Sequence, residues 1–436
     1  MAKQAWRKGR IILSGMLGVV ALAMLTLWGC GGGGSSYDTP STNVVKTKTD
    51  NALINAAKLK EWADAGLVNK AGAYERVVII EVTSDASQYA QGHIPGAVSV
   101  NLADLTATRL EGPGYFGAMV ATGEQVDALI QKAGIDQYTT IVFTTSDKEM
   151  NANTLWNLTR GYTTFRYWGF PKERLKVLDG GNKAWMAAGY DWTPAAPSIP
   201  KTTYSVTPNG VNRVQADLRA SLSEMIAAVT AGEKDFIDGR GSLAAGTTDL
   251  LDTSKYVVFE GRIKGTNSRF FPYTNLVDAN KLFKSITDVQ TLLNIKSDTA
   301  YTLCRAGNIA SVLFFAIDGY AYYDGSKKAV WYDGSWGQWG LMSSNAAIGG
   351  MLRSTTSVWD TTALTSPYTQ NFNNTVTITG GTKTLALTDI ISYSGRLLPD
   401  EPPITANQLE DADKAYRSPS ITAGSQGPTA NAGGGC

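Results

Sequence analysis

The chain has 436 residues, with 39 Lys and Arg set against 38 Asp and Glu for a formal net charge of +1. That length is enough for two globular domains with a sizeable core, and the even charge leaves no broad basic field of the kind that nucleic-acid binding uses. Three cysteines and one histidine exclude a disulfide framework and a His-rich metal site, and the absence of Cys-x-x-Cys-His excludes a c-type haem, so no cofactor is expected.

Lys3, Arg7, Lys8 and Arg10 precede an apolar run from Ile11 to Leu27, closed by Leu27-Trp28-Gly29-Cys30. This is the layout of an export signal over residues 1–29. Its ending resembles a bacterial lipobox, although Trp28 is bulkier than that pattern usually has. The resemblance implies acylation of Cys30 and a membrane anchor, with the outer membrane preferred because no Asp follows the cysteine. The other reading is an uncleaved transmembrane helix, which the run is near the lower length limit to form. Residues 30–50 begin with Gly and Ser and are expected to be a flexible tether.

Leu53 to Leu67 has helical spacing, and Val77-Val78-Ile79-Ile80-Glu81-Val82 is a β-branched strand. A helix from Gly123 to Ala133, a strand from Thr139 to Phe143, a helix around Asn153 to Leu158 and a strand from Leu175 to Leu178 follow. The turn Asp179-Gly180-Gly181 then leads into a helix carrying Trp185. Such alternation predicts an α/β fold with a parallel sheet flanked by helices. Residues 51–195 are the expected first domain, and 196–211, punctuated by Pro197, Pro200 and Pro208, the linker.

The pattern then repeats over 212–345. Helices are expected at Ala220–Ala231, Ile286–Leu293 and Ile309–Ile317, with strands at Phe236–Asp238, Tyr301–Leu303 and Ala329–Tyr332. Asp333-Gly334-Ser335 with Trp339 has the spacing of Asp179-Gly180-Gly181 with Trp185. Gly261-Arg262-Ile263-Lys264-Gly265-Thr266 is a degraded counterpart of Gly92-His93-Ile94-Pro95-Gly96-Ala97. The chain therefore reads as a duplicated α/β unit.

Cys304 lies in Tyr301-Thr302-Leu303-Cys304-Arg305-Ala306-Gly307-Asn308-Ile309, where a strand delivers a cysteine into a small polar loop ahead of an apolar helix. Inward-turned amides, the helix dipole and Arg305 all favour a thiolate there; such surroundings lower a cysteine pKa from about 8.5 to roughly 3.5–7.5. The bland reading is a buried cysteine at the end of a core strand.

Taken together, Gly92 to Ala97, Asp238 to Arg240, Cys304 to Ile309 and both Asp-Gly turns resemble the tandem rhodanese family of thiosulfate and mercaptopyruvate sulfurtransferases, over about residues 50 to 345. The resemblance implies two rhodanese-like domains, with Cys304 as the nucleophile that carries sulfur as a persulfide. The backbone of Arg305, Ala306, Gly307, Asn308 and Ile309 would be its cradle, and Arg240 and Arg305 would bind an anionic donor. For Arg240 the alternative is an ion pair with Asp238. Ala306 stands where thiosulfate-using members commonly carry a cation, which implies weaker activity toward thiosulfate. Arg262 and Lys264 are expected to be exposed. The first unit runs from Ile141-Val142-Phe143 into Thr144-Thr145-Ser146-Asp147 without a cysteine and is expected to be inactive, with His93 structural.

The extension over 346–417 contains a hairpin-like segment from Thr375 to Thr382 and is expected to fold in part against the second domain. The Gly- and Ser-rich tail over 418–436 is expected to be disordered and ends in Cys436, an accessory thiol or an incidental one. Two functions stand side by side. One is an envelope-anchored sulfurtransferase taking a small anionic sulfur donor and a thiol or other thiophilic acceptor. The other is a non-catalytic rhodanese-like scaffold lipoprotein partnering an envelope redox protein.

Overall fold

The computed structural model describes residues 46–72, 74–111, 114–150, 154–207, 214–240, 261–339, 362–363, 369–371, 375–378, 381–384 and 407–417. The signal segment with Cys30, most of the tether, Pro208, much of the extension, and the tail with Cys436 lie outside the described residues.

The first lobe contains β1 (Leu53–Ile54), α1 (Ala56–Asp64), β2 (Arg76–Thr83), α2 (Ala86–Ala90), β3 (Val98–Asn101), the hairpin β4 (Thr106–Glu111) and β5 (Gly114–Val120), α3 (Gly123–Ala133), β6 (Thr139–Thr145), α4 (Leu155–Tyr167), β7 (Leu175–Leu178) and α5 (Gly181–Ala187). Its sheet runs β1-β7-β6-β2-β3 and is parallel throughout. β2 is buried at every residue, as a central strand covered by helices on both faces requires.

The second lobe contains α6 (Leu222–Ala231), β8 (Asp235–Asp238), β9 (Gly261–Arg262), β10 (Asn267–Phe270), α7 (Ile286–Leu293), β11 (Thr299–Leu303), α8 (Asn308–Phe315) and β12 (Lys328–Trp331). Its parallel sheet runs β10-β8-β11-β12, and a parallel bridge from Arg219 to Trp331 stands where β1 stands in the first lobe. Corresponding helices use the same punctuation. The Thr122 side chain caps α3 by accepting from Gln125 N–H as Ser285 caps α7 by accepting from Asp288 N–H, and both helices end on a left-handed residue, Gly134 and Asn294.

The expected α/β class is what the chain adopts, with local differences. The helix expected from Leu53 begins instead with β1, because the Asn55 side chain caps α1 by accepting from Lys58 N–H. The helix around Asn153 to Leu158 extends to Tyr167, and the one ending at Ile317 passes into a π-type segment over Ala316–Ala321.

One core cluster crosses both lobes, from Val78 and Phe143 through Tyr162 and Phe165 to Ala300, Val312 and Phe315. Its seam is α4 against α8. There the Thr159 and Ser311 hydroxyls are 2.8 Å apart, Tyr162 meets the Phe315 ring edge-on at 5.0 Å, and the Tyr162 hydroxyl donates to Asp318 Oδ2 at 2.7 Å. A fully buried aromatic at such a seam is worth about 3–5 kcal/mol against alanine.

The extension was expected to lie against the second domain. β13 (Thr362–Ala363) does pair with β9. β14 (Thr369–Asn371), β15 (Thr375–Ile378) and β16 (Gly381–Thr384) form an antiparallel sheet that includes the expected hairpin. Its helix α9 (Gln408–Arg417) instead engages both lobes. Asp413 forms a two-bond pair with Arg109 on β4 and accepts from the Tyr167 hydroxyl, and Glu410 meets Arg219 at 3.3 Å. Helical spacing of Leu409, Asp413 and Tyr416 is the signal that the sequence reading passed over.

Candidate active site

β11 pairs with β8 so that Leu303 lies beside Asp238, and the chain leaves the sheet at Cys304. The loop closes at Gly307, whose φ of 79° is open to glycine at little cost and whose missing Cβ would lie 2.8 Å from the Asp333 carbonyl oxygen. No side chain caps α8, so the N–H groups of its first turn have no acceptor within the helix and face the loop with the positive end of the helix dipole.

Ser335 ties this loop from beneath. Its hydroxyl oxygen accepts from Cys304 N–H and Gly307 N–H at 3.1 Å each, the hydroxyl donates to the Tyr332 carbonyl at 2.8 Å, and Oγ is 4.0 Å from Cys304 Sγ. Ser335 itself has φ of +52°. A non-glycine residue in that region carries strain of about 1–2 kcal/mol, and strain of this kind collects where surrounding structure holds a functional geometry.

Cys304 is 2% exposed and belongs to the shared core, while Arg305, Ala306, Asn308 and Ile309 are half-buried around it. The accessible thiol of the reactive reading is thus corrected to a buried one at the floor of the loop. One of the expected cradle amides, that of Gly307, points at the Ser335 hydroxyl, as does the amide of Cys304 itself. The physical reason is the Asp333-Gly334-Ser335 turn, which lies directly under the strand end: Trp336 N–H donates to the Cys304 carbonyl and Gly337 N–H to the Arg305 carbonyl.

Arg240 takes the alternative role. Its Nε donates to both Asp238 carboxylate oxygens at 3.0 Å and its Nη2 to Oδ2 at 2.6 Å, with the guanidinium over the rings of Trp336 and Phe270. Arg262 and Lys264 are half-buried rather than exposed, and Arg262 lies on β9, which pairs with β13. His93 is buried, stacked on Tyr89 at 3.8 Å, with its ring nitrogens within reach of the Tyr89 and Ala195 carbonyl oxygens. It takes no part in the cysteine loop.

Two groups missed in the sequence reading complete the surroundings. Arg160, on α4 of the first lobe, is fully buried; its Nη1 donates to Asn308 Oδ1 at 3.1 Å and its Nη2 to the carbonyls of Ala118 and Met119 at 2.9 Å. Burial pulls its pKa down to about 10, against the opposing pull of Asp333 and Cys304. Behind Asp333 lies Arg219, fully buried among Glu111 at 2.7 Å, Asp333 at 2.8 Å and Glu410 at 3.3 Å. Burial alone would lower the Arg219 pKa, yet Asp333 and Glu111 hold it well above its usual value. Burial pushes Glu111 up and Glu410 up to about 7. The charge of Arg160 set between the large side chains of Leu158 and Tyr162 was the readable signal.

The same layout in the first lobe carries different residues. Glu81 pairs in register with Thr144 as Asp238 does with Leu303, which puts Thr145 where Cys304 stands, and Gly181 takes the place of Ser335. Both carboxylate oxygens of Glu81 are buried without a hydrogen bond of good geometry, and burial raises its pKa to about 7, offset only in part by the nearby Asn182 side chain and Ile94 N–H.

Two parallel sheets of one repeated layout, flanked by helices, define the fold as rhodanese-like. The Rhodanese-like domain family matches residues 56–188, the first lobe. The protein named SseA from Mycobacterium leprae is 29% identical over 272 residues, covering 61% of this chain and 82% of its own length. The thiosulfate sulfurtransferase of Corynebacterium glutamicum is 27% identical over 276 residues, with the same two coverages. Among solved structures, the Tum1 protein from Saccharomyces cerevisiae aligns with a TM-score of 0.50 at 16% identity over 67% of this chain and 95% of that one. YnjE aligns at 0.50 and 21% identity over 66% of each chain; both likenesses concern the fold. Residues 56–188 carry a rhodanese-like domain, and the similarity to proteins named thiosulfate sulfurtransferases supports sulfurtransferase activity for the chain.

Proposed function

We propose that the chain moves sulfane sulfur from thiosulfate, or a similar small anionic donor, to a thiophilic acceptor through a persulfide on Cys304. The observation that carries this reading is the placement of Cys304 between the end of β11 and the uncapped start of α8, with Gly307 and Ser335 shaping the turn. The Cys304 thiolate attacks the outer sulfur of thiosulfate; the donor's S–S bond breaks and sulfite leaves with the electron pair. The resulting persulfide anion is held by the helix start and loop amides. A nucleophilic acceptor then attacks the outer sulfur, and Cys304 departs as a thiolate. The relatives' shared name supports thiosulfate as donor. Arg305, half-buried and next to Cys304 in the chain, supplies a cation for an anion's charge. The first lobe, with Thr145 at the cysteine position, serves as packing and as one wall of the site.

The same proposal places the enzyme in the cell envelope, exported by residues 1–29 and anchored through acylated Cys30. Metabolic labelling with a radioactive fatty acid checks this: label lost in Cys30→Ala supports the anchor, and equal label contradicts it. For the catalytic reading, the full chain in detergent is assayed for sulfur transfer from thiosulfate to cyanide. Activity abolished by Cys304→Ala is expected, and a rate unchanged by it overturns the reading. The scaffold alternative draws on the burial of Cys304; it gains if the folded wild type transfers no sulfur from either thiosulfate or mercaptopyruvate.

A further inference from the structure

The cysteine loop belongs to the second lobe, yet a charge from the first lobe grips it. Arg160 projects from α4 across the seam and is fastened on its own side by the Ala118 and Met119 carbonyls, at the end of β5. Ala118 has φ of +58°, an unusual setting for a residue with a Cβ, and Met119 and Val120 are fully buried. The next amide, Val120 N–H, donates at 2.8 Å to Asp333 Oδ2, beside the turn that carries Ser335. From this anchorage the guanidinium lies 4.5 Å over the Trp331 ring, whose Nε1 donates to the Gly307 carbonyl at 3.0 Å, while Nη1 holds Asn308 Oδ1. A Cβ on Gly307 would lie 3.2 Å from Arg160 Nη1, so the loop and the guanidinium are in close approach.

We propose that Arg160 is a positioning residue of the sulfur-transfer site. Borrowed from the cysteine-free lobe, it sets the shape of the Cys304–Asn308 loop and supplies a fixed positive charge that favours the anionic forms of Cys304. A buried guanidinium with its fork spent on three oxygens cannot swing away. Its charge acts through a medium of low dielectric, where it has the greatest effect on a neighbouring thiolate or persulfide. This gives the first lobe a task beyond packing: it holds the key that makes the second lobe's loop rigid. The inference rests on the sulfur-transfer reading, but its test reads the thiol directly.

In the full chain, the rate of iodoacetamide alkylation at Cys304 is followed against pH by peptide mass mapping, alongside kcat and KM for transfer from thiosulfate to cyanide. Arg160→Met is expected to move the alkylation midpoint up by about one pH unit and to lower kcat/KM by about tenfold to a hundredfold, as misplacement of a reacting group does. Arg160→Lys is expected to bring the midpoint back toward wild type. Its kcat/KM stays reduced, because one ammonium cannot span the Ala118, Met119 and Asn308 oxygens as a planar fork does. Folded Arg160→Met with the wild-type midpoint and wild-type kcat/KM overturns the proposal. If that variant does not fold, Asn308→Ala carries the test: it cuts the loop contact alone, and an unchanged kcat/KM there overturns the positioning role. A Cys304→Ala chain that still transfers sulfur would defeat the sulfur-transfer reading, while the alkylation profiles still judge Arg160.

Discussion

The two lobes hold the same turn in the same place and use it for different ends. In the first, Asp179-Gly180-Gly181 follows β7, and Asp179 Oδ1 accepts from Phe283 N–H of the other lobe at 2.9 Å. In the second, Asp333-Gly334-Ser335 follows β12, and Asp333 Oδ2 accepts from Val120 N–H of the other lobe at 2.8 Å. The contacts across the seam are reciprocal, and the pair of tryptophans that follow, Trp185 and Trp339, are both buried. The difference begins one residue later. Gly181 and Ser335 have nearly equal φ values of 54° and 52°, but only Ser335 has a hydroxyl, and that hydroxyl gathers the amides of Cys304 and Gly307. The second difference lies on the neighbouring strands, where Asp238 is neutralised by Arg240 and Glu81 has Thr83 two residues on instead of a cation. Duplication preserved the scaffold, and the chemistry resides in a few positions that diverged.

The largest effect that sharpens this contrast is removal of the thiol. Cys304→Ala is expected to lower sulfur transfer by at least about 10³-fold, since no other described residue supplies a nucleophile of that kind. Steady-state assay of the purified variant checks this. Next comes the charge cluster that joins both lobes to α9. Arg219→Met leaves Glu111, Asp333 and Glu410 buried without their shared cation and is expected to lower stability by about 3–5 kcal/mol, measured by denaturant unfolding.

Glu81 tests the first lobe in the opposite direction. Its folded pKa of about 7 lies above the carboxylate's ordinary value, so the folded state binds more protons, and its contribution to stability falls as pH rises up to about 7. Glu81→Gln is expected to abolish that slope and to raise stability at pH 8 by roughly 2–3 kcal/mol, with little change at pH 4. Thermal melts across that range decide it. The smallest change is Ser335→Gly, which copies the first lobe's residue into the second. Relief of backbone strain offsets much of the lost hydrogen bonding, so stability shifts by about 1 kcal/mol or less, while the loosened loop lowers kcat/KM by about tenfold. Equal activity of Ser335→Gly and wild type would break the comparison.

Much of this was legible in the sequence because it depends on local patterns. β-branched runs gave the central strands, and the two Asp-Gly-Trp spacings exposed the repeat. The helix Gly123–Ala133 and the strand Leu175–Leu178 form with the expected bounds. What could not be read arises from contacts far apart in sequence. Arg160 and Asn308 lie 148 residues apart, and Arg109 and Asp413 lie 304 apart, and no local spacing announces either pair. The burial of Cys304 escaped for the same reason, since the Ser335 turn that packs under the strand end comes from beyond the next strand. Arg240 was misjudged because a residue two positions from an aspartate can turn inward onto it as readily as outward to a ligand.

In the proposed reaction sulfur comes to rest on one atom, Cys304 Sγ. Incubation of the full-length protein with thiosulfate, followed by non-reducing peptide mass spectrometry, reads this directly. The expected result is the mass of one added sulfur atom on the peptide containing Cys304, removed by cyanide and absent from Cys304→Ala. Thiosulfate turnover by the wild type, with no added sulfur at Cys304 and undiminished turnover in Cys304→Ala, would contradict it.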